Sequence, residues 1–199
     1  MIAAFITDGV PEVTLHKPPP LEVPLTVVST PDGLRVIDSA ETVIATARRR
    51  EGDIEPVPPV SPADAKAASA NYPGHGTHHF PTCFVCGPDR PDGLRIFPGH
   101  TADGTAAIFE APDDISAVTV WAALDCPGGW TVITGEHPWV LGRLAVAIDR
   151  VPEPGEQCVI VGRQVNREGR KALVRTTLYG AESDLCAHAE ATWIAIPPV

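Results

Sequence analysis

Proline and its distribution constrain this chain more than any other sequence feature. The sequence has 22 prolines among 199 residues, about twice the average usage of ~5%. Proline removes a backbone donor and breaks the interior of a helix, so a bundle of long helices is excluded. Six of the prolines and three glycines crowd residues 51–82. We therefore predict a connector there, between an N-terminal unit at residues 1–50 and a C-terminal unit at 83–199.

One short helix is expected inside the connector. Ser61 is a good N-cap residue, Pro62 suits the first helical turn, and Asp64 follows at the third position. These signals predict a helix from Pro62 to Ala70.

The rest of the chain is dominated by strand patterns. The N-terminal unit reads as a meander with strands near residues 12–21, 25–29, 34–38 and 42–47. The C-terminal unit has predicted strands at 93–98 and 105–110, a helix from about 115, and strands at 141–149, 158–166, 171–179 and 185–196. The last strand alternates, and its alanine-rich face leaves room for a helix to pack closely on an antiparallel sheet. This predicts an α+β fold.

The two units share an order of elements. Each runs as a strand, a proline-rich bend, two strands joined by turns, and a closing strand. Duplication would explain this order, and a chance likeness between two meanders would explain it equally well.

Charge and apolar patterning exclude several partner classes. Lys and Arg number 15 against 25 Asp and Glu, which gives a net charge of −10. Such a surface repels phosphate backbones and anionic lipids, so we expect neither nucleic acid nor a membrane as a partner.

The first six residues are too short for a signal peptide, and the five cysteines form an odd set. We expect reduced thiols and a cytoplasmic location.

A single carboxylate stands out in the apolar segment 115–127. Helical spacing places Val118, Trp121 and Asp125 on one stripe of the helix. A buried carboxylate is costly unless it is hydrogen-bonded or protonated. Two roles remain open for Asp125: it caps the turn at residues 126–129, or it is a catalytic acid.

The segment FPTCFVCGPDRPDGLR at residues 80–95 carries a family resemblance. Followed by a strand, the helix with Asp125 and four antiparallel strands, it resembles the hotdog-fold acyl-CoA thioesterases, in a branch of actinobacterial type. The resemblance covers residues 80–196 and, through the repeat, extends faintly to 1–50. It implies an antiparallel sheet wrapped around a central helix, and a double hotdog with an abridged first half whose natural start lies upstream of Met1.

The resemblance also implies an activity and a site. In this family, backbone N–H groups at the start of the central helix polarise a thioester carbonyl, and a carboxylate activates water or attacks. By resemblance, Asp125 is the catalytic residue, Trp121 lines the acyl channel, and Ser116, Ala117 and Val118 hold the carbonyl. The related branch has His-Gly-Gly at those three positions, so a module that binds an acyl ligand without hydrolysis is the alternative. No cofactor is implied.

Positive charge is concentrated at one predicted hairpin. Arg163 and Arg170 are the candidates for binding the phosphates of coenzyme A, and Arg167 and Lys171 lie beside them. Guanidinium groups suit phosphate oxygens. A solvated hairpin tip is the other interpretation of this cluster.

The Cys83-x-x-Cys86 pair has the spacing of metal ligands, and His75, His78 and His79 lie upstream. Zinc usually takes two separated ligand pairs. The other three cysteines look isolated in the sequence, so we predict no metal and expect Cys83 and Cys86 to serve packing and turns. A zinc-stabilised interaction protein is the further alternative.

Exposed strand edges left by an abridged first half predict a homodimer.

Overall fold

The computed structural model describes residues 2–6, 8–133 and 137–196. Within these ranges the chain forms ten strands, three α-helices and two 3₁₀ turns. The strands are β1 (Pro11–Leu15), β2 (Thr26–Thr30), β3 (Gly33–Ile37), β4 (Val43–Arg49), β5 (Gly99–Thr101), β6 (Gly104–Glu110), β7 (Trp139–Ile148), β8 (Gln157–Glu168), β9 (Lys171–Tyr179) and β10 (Leu185–Ala195). The helices are α1 (Pro62–Ala70), α2 (Ala117–Ala123) and α3 (Cys126–Gly129), and the 3₁₀ turns are Ile2–Phe5 and Pro73–His75.

All ten strands belong to one antiparallel sheet with the order β2-β3-β4-β1-β7-β10-β9-β8-β6-β5. Strands β1 and β7 join its two halves, with Glu12 opposite Ala145 and Thr14 opposite Arg143. The order is mirrored about this junction, because β1-β4-β3-β2 runs one way and β7-β10-β9-β8 runs the other. The mirrored order agrees with the predicted repeat and with a double hotdog.

The helices α2 and α3 pack on the second half of the sheet. Ala187, Ala189 and Ala191 of β10 are buried, as the alternation predicted. The contact is closest at Gly162 of β8, where a Cβ atom would lie 2.4 Å from the carbonyl oxygen of Pro127. The hydroxyl of Thr105 also donates to that oxygen at 2.6 Å. Small residues therefore let the helices lie directly on the sheet, and the predicted α+β arrangement is confirmed.

The central helix is broken where one continuous helix was expected. Ser116 caps α2 by accepting the N–H of Thr119 at 3.4 Å. The helix ends at Ala123, and α3 begins at Cys126 with Pro127 in its first turn, where the missing N–H costs nothing. Val118 is 57% exposed, whereas Trp121 is buried. The predicted stripe from Val118 to Asp125 therefore does not continue along one helix.

The predicted helix in the connector has the expected bounds, and Ser61 Oγ accepts the N–H of Asp64 at 3.1 Å. It packs on the sheet, with Ala65 and Ala68 buried against β6, β8 and β9. Val159 and Val161 of β8 join this cluster, whereas Ile160 belongs to the core around α2 and α3. Alternate residues of a strand point to opposite faces. The part of the connector that includes Val57 and α1 therefore covers the face of the sheet opposite the central helices.

Two predicted elements differ from the structure. Residues 93–98 form no strand, because Leu94 and Ile96 donate their N–H groups to Phe84 and Val85 at 2.7 and 2.9 Å, and Arg95 has a φ of 53°. The first strand covers only Pro11–Leu15 instead of residues 12–21. No helix in the described ranges is long and apolar enough to cross a membrane.

Candidate functional site

A pocket of about 260 Å³ lies between the loop at residues 78–86, the start of α3 and strands β7 and β10. Most of its wall is apolar and aromatic: Phe80, Trp130, Ile133, Trp139, Val140, Leu141 and Trp193. Among the described residues, the polar lining consists of His78, Asp125 and three cysteines, Cys83, Cys86 and Cys126. An apolar cleft with a few converging polar groups is typical of ligand sites.

The loop that carries Cys83 and Cys86 is held by local and distant contacts. Gly87 donates its N–H to the carbonyl of Cys83 at 2.9 Å, and a Cβ atom on Gly87 would lie 2.4 Å from the Pro81 carbonyl oxygen. The buried hydroxyl of Tyr72 donates to the Cys86 carbonyl at 3.0 Å. The Tyr72 ring packs edge-on against Trp130, with centroids 4.8 Å apart. The connector thereby fixes the loop against α3.

The three cysteine side chains of the pocket converge. The Sγ atoms of Cys83, Cys86 and Cys126 all lie within 4.8 Å of one another. Cys83 and Cys126 are 3.7 Å apart at their Sγ atoms, far beyond the ~2.05 Å of a disulfide. All five cysteines are free. The expectation that Cys126 is isolated from the Cys83–Cys86 pair is therefore wrong, because the loop closes over the start of α3.

Two nitrogen donors surround the sulfur of Cys86. The indole Nε1–H of Trp130 donates to Cys86 Sγ at 3.4 Å, and His78 Nε2 lies 3.3 Å from the same atom. His78 Nδ1 accepts the N–H of Phe80 at 3.0 Å, so the proton of the neutral ring is on Nε2 and is donated to the sulfur. Burial lowers the pKa of His78. Hydrogen bonds from the Cys126 and Cys86 thiols lower the pKa of Cys83.

Asp125 occupies the N-cap position of α3, but its side chain makes no capping hydrogen bond. Its Oδ1 atom is buried and has no hydrogen-bond partner among the described residues. Burial raises the pKa of the carboxyl to about 7, and the negative charge of Cys83 acts in the same direction. The capping interpretation of Asp125 is therefore wrong. Asp125 lines the pocket, and a buried carboxylate oxygen without a partner calls for an explanation such as a bound water, an ion or a catalytic role.

The structure does not bring the other predicted helix residues to Asp125. Ser116, Ala117 and Val118 are exposed at the start of α2 and do not line the pocket. Trp121 is buried in the core beside the helices and is likewise absent from the pocket wall. The break between α2 and α3 separates these residues from the carboxylate.

The basic hairpin lies partly at the pocket. The guanidinium of Arg167 lies 5.0 Å from the ring centroid of Trp139, a residue of the pocket wall. Arg170 donates to the carbonyl of Ala195 at 3.4 Å. Arg163 instead lies 3.9 Å from Asp103 and lines a separate cavity beside the connector. Arg167 was not among the predicted phosphate-binding residues, which were Arg163 and Arg170.

The aromatic wall was also missed. Three of the four tryptophans of the chain line the pocket, although they are separated by up to 63 residues in sequence, from Trp130 to Trp193. Scarce tryptophans can indicate a binding site, but no local spacing links these three. Gly129 lets Trp193 pack closely against α3, because a Cβ atom there would lie 2.4 Å from Cζ2 of Trp193.

The sequence matches no family model and no curated protein sequence. Among solved structures, a conserved hotdog-fold protein from Alicyclobacillus acidocaldarius is 16% identical, with a TM-score of 0.56 over 96% of this chain and 79% of its own. A hypothetical thioesterase from Streptococcus pneumoniae TIGR4, solved with coenzyme A, is 12% identical over 50% of this chain and 84% of its own, with a TM-score of 0.46. The first match covers both halves of the sheet. The chain is therefore a protein of the hotdog fold.

Proposed function

We propose that the protein binds an acyl thioester, with the acyl group in the aromatic pocket and the thioester carbonyl beside Asp125. The observation that supports this best is the lining of the pocket, an apolar wall with one unpartnered buried carboxylate oxygen. The volume of about 260 Å³ lies just below the usual range for small-molecule sites, ~300–1,000 Å³. A short or compact acyl group is therefore the preferred ligand.

Hydrolysis is the reaction that we propose for this site. Asp125, which lines the pocket, would take a proton from a water molecule that attacks the carbonyl carbon, and the C–S bond would break to release the carboxylic acid and the coenzyme A thiol. In the alternative route its carboxylate would attack the carbonyl carbon and expel the thiolate, and water would hydrolyse the resulting anhydride. The aromatic wall would exclude other water from the reacting atoms.

A binding module without chemistry is the second candidate, and one observation favours it. The N–H groups at the start of α2, which the family resemblance assigns to the carbonyl oxygen, lie outside the pocket wall. Without such donors the negative charge that develops on the oxygen would lose its main stabilisation. Hydrolysis would then need a different group for that charge.

The coenzyme A part would extend towards the β8–β9 hairpin. Arg167 stacks on Trp139 at the pocket wall, and Arg170 lies beside the end of β10. Both guanidinium groups could bind phosphate oxygens. Arg163 is on the side of the sheet that the connector covers, so we assign the phosphates to Arg167 and Arg170.

We also propose that the chain forms a homodimer through the exposed edge strand β2.

The test is to measure binding and hydrolysis of coenzyme A thioesters with short acyl groups. Arg167→Ala should weaken binding about tenfold or more, since a charge-assisted contact is worth ~1.5–3 kcal/mol. Arg90→Ala is a matched control, because Arg90 also stacks on an aromatic ring, that of Phe84 at 5.8 Å, but neither residue lines the pocket. Asp125→Asn should lower the hydrolysis rate by about 10²–10⁴-fold while binding is retained.

The outcomes separate the candidates. Binding with no turnover by the wild type would assign the protein to the non-catalytic class. Absence of binding to every short acyl-CoA would refute the proposed function altogether.

A further inference from the structure

The three convergent thiols have the geometry of a zinc site. Tetrahedral zinc holds thiolates at ~2.3 Å, which places two sulfurs about 3.8 Å apart. The Sγ atoms of Cys83 and Cys126 are 3.7 Å apart, and Cys86 Sγ lies within 4.8 Å of both. Cys83 and Cys86 supply a C-x-x-C pair from one loop, and Cys126 comes from the start of α3. The third ligand is thus separated from the pair in sequence, as is usual for zinc.

Two N–H donors reach the sulfur of Cys86. Cys86 Sγ receives the indole N–H of Trp130 and the Nε2–H of His78. N–H donors to a ligating sulfur stabilise its negative charge and orient it. The His78 ring is held by Trp130, with centroids 5.2 Å apart and the planes at 74°. These contacts hold both donors in place without any metal.

We propose that Cys83, Cys86 and Cys126 bind one Zn²⁺ as three thiolates, and that the fourth coordination position faces the pocket. All three cysteines line the pocket together with Asp125. Three protein ligands and an exchangeable fourth ligand are the arrangement of reactive zinc sites, whereas structural sites have four protein ligands. A water molecule would hold the fourth position until a ligand enters the pocket.

His78 and Asp125 act on this site without binding the metal. His78 Nδ1 accepts the N–H of Phe80, so Nε2 carries a proton and donates it to Cys86 instead of coordinating zinc. Asp125 precedes Cys126 in the chain, and its unpartnered Oδ1 atom can accept a hydrogen bond from a zinc-bound water. This gives the buried oxygen a partner that the described residues do not supply.

The site also explains how the pocket is held together. The loop with Cys83 and Cys86 follows the connector, and Cys126 belongs to the central helices. A metal ion would link two parts of the chain that both line the pocket. Because binding energy at such a site stabilises the folded state, removing the ion should loosen both segments.

The first experiment measures metal content and does not depend on acyl thioester binding. The full chain is purified under reducing conditions without chelator, and zinc is quantified by elemental analysis. The wild type should contain one Zn²⁺ per chain, and Cys83→Ala and Cys126→Ala should contain none. Cys158→Ala is the matched control, because Cys158 is also a buried free cysteine but lies outside the cluster; it should keep its zinc.

Reconstitution keeps the test valid if an alanine variant fails to fold. The wild type is stripped with a chelator and titrated with Co²⁺, which should give a thiolate-to-metal charge-transfer band. The spectrum should change when a small thiol is added, because the fourth position is open. His78→Ala should keep its zinc with about 10–100-fold lower affinity, the usual effect of losing an outer hydrogen bond.

Several results would overturn the proposal. These are a wild type that holds no zinc after purification and reconstitution, a Cys126→Ala variant with wild-type affinity, and a Cys83–Cys126 disulfide found by mass spectrometry. A His78→Ala variant that loses zinc completely would refute the open fourth position.

Discussion

Gly162 controls how closely the central helices approach the sheet. It lies in β8 beneath α3, and a Cβ atom there would be 2.4 Å from the carbonyl oxygen of Pro127 and 2.7 Å from Oγ1 of Thr105. Contacts below 3.0 Å are essentially never seen for real Cβ atoms. In Gly162→Ala, α3 must therefore move away from the sheet or β8 must bend.

The cost follows from two contributions. Overpacking a dense core with an extra carbon destabilises by ~1–3 kcal/mol. A shift of α3 also strains the hydrogen bond from Thr105 to Pro127, which is 2.6 Å long and worth ~1 kcal/mol. We expect Gly162→Ala to lower the free energy of unfolding by about 2–4 kcal/mol and the melting temperature by roughly 4–16 °C.

Urea denaturation followed by tryptophan fluorescence measures this change. Gly76→Ala is the control, because Gly76 is exposed with a φ of −91° and its added Cβ would be 3.6 Å from the nearest carbonyl oxygen. Both variants are compared with the wild type at equal metal content. The control should stay within about 0.5 kcal/mol of the wild type. If Gly162→Ala also stays within that margin, the close helix-to-sheet packing does not carry the stability that we assign to it.

Two further predictions concern acid stability and assembly. Hydrogen bonds from Arg150 hold the pKa of Glu156 at about 2, below its ordinary 4.5, so this pair stabilises the folded chain above pH 4.5 and the contribution is lost as the pH falls towards 2. In urea denaturation at a series of pH values, Glu156→Gln should lose less stability than the wild type across that window; parallel profiles would contradict the assignment. At the β2 edge, Val27 and Val28 are 43% and 38% exposed. Sedimentation velocity should therefore show a dimer for the wild type and a monomer when both residues are replaced by Lys. A wild type that stays monomeric at high concentration would refute the proposed association.

Elements governed by neighbouring residues were predicted well. The helix α1 follows from Ser61, Pro62 and Asp64, whose capping contacts span three positions. The burial of the alanines in β10 follows from the two-residue period of a strand. Where the backbone responded to distant groups, prediction failed: residues 93–98 bond to Phe84 and Val85 instead of pairing as a strand.

In the candidate site, too, a local feature was predicted from the sequence, whereas contacts between distant segments were not. The sequence identified Asp125 as an unusual carboxylate, because Asp125 is the one charged residue of an apolar segment. That contrast is visible within the segment itself. The sequence did not show that the helix breaks before this residue, that its Oδ1 atom lacks a partner, or that Ser116 to Val118 lie elsewhere. These features depend on how α3 meets the sheet.

By itself, the sequence determined the α+β class, the helix α1 and the singular position of Asp125, since composition, period and caps act over a few residues, and its resemblance to a known family implied the hotdog architecture. Only the tertiary structure decided which chemistry-bearing groups meet. It brought Cys126 to Cys83 and Cys86, three distant tryptophans to one pocket, and Arg167 instead of Arg163 to its wall. The physical reason is that such a site is made by contacts between segments far apart in the chain, and their distances depend on the packing of the whole sheet, helices and connector.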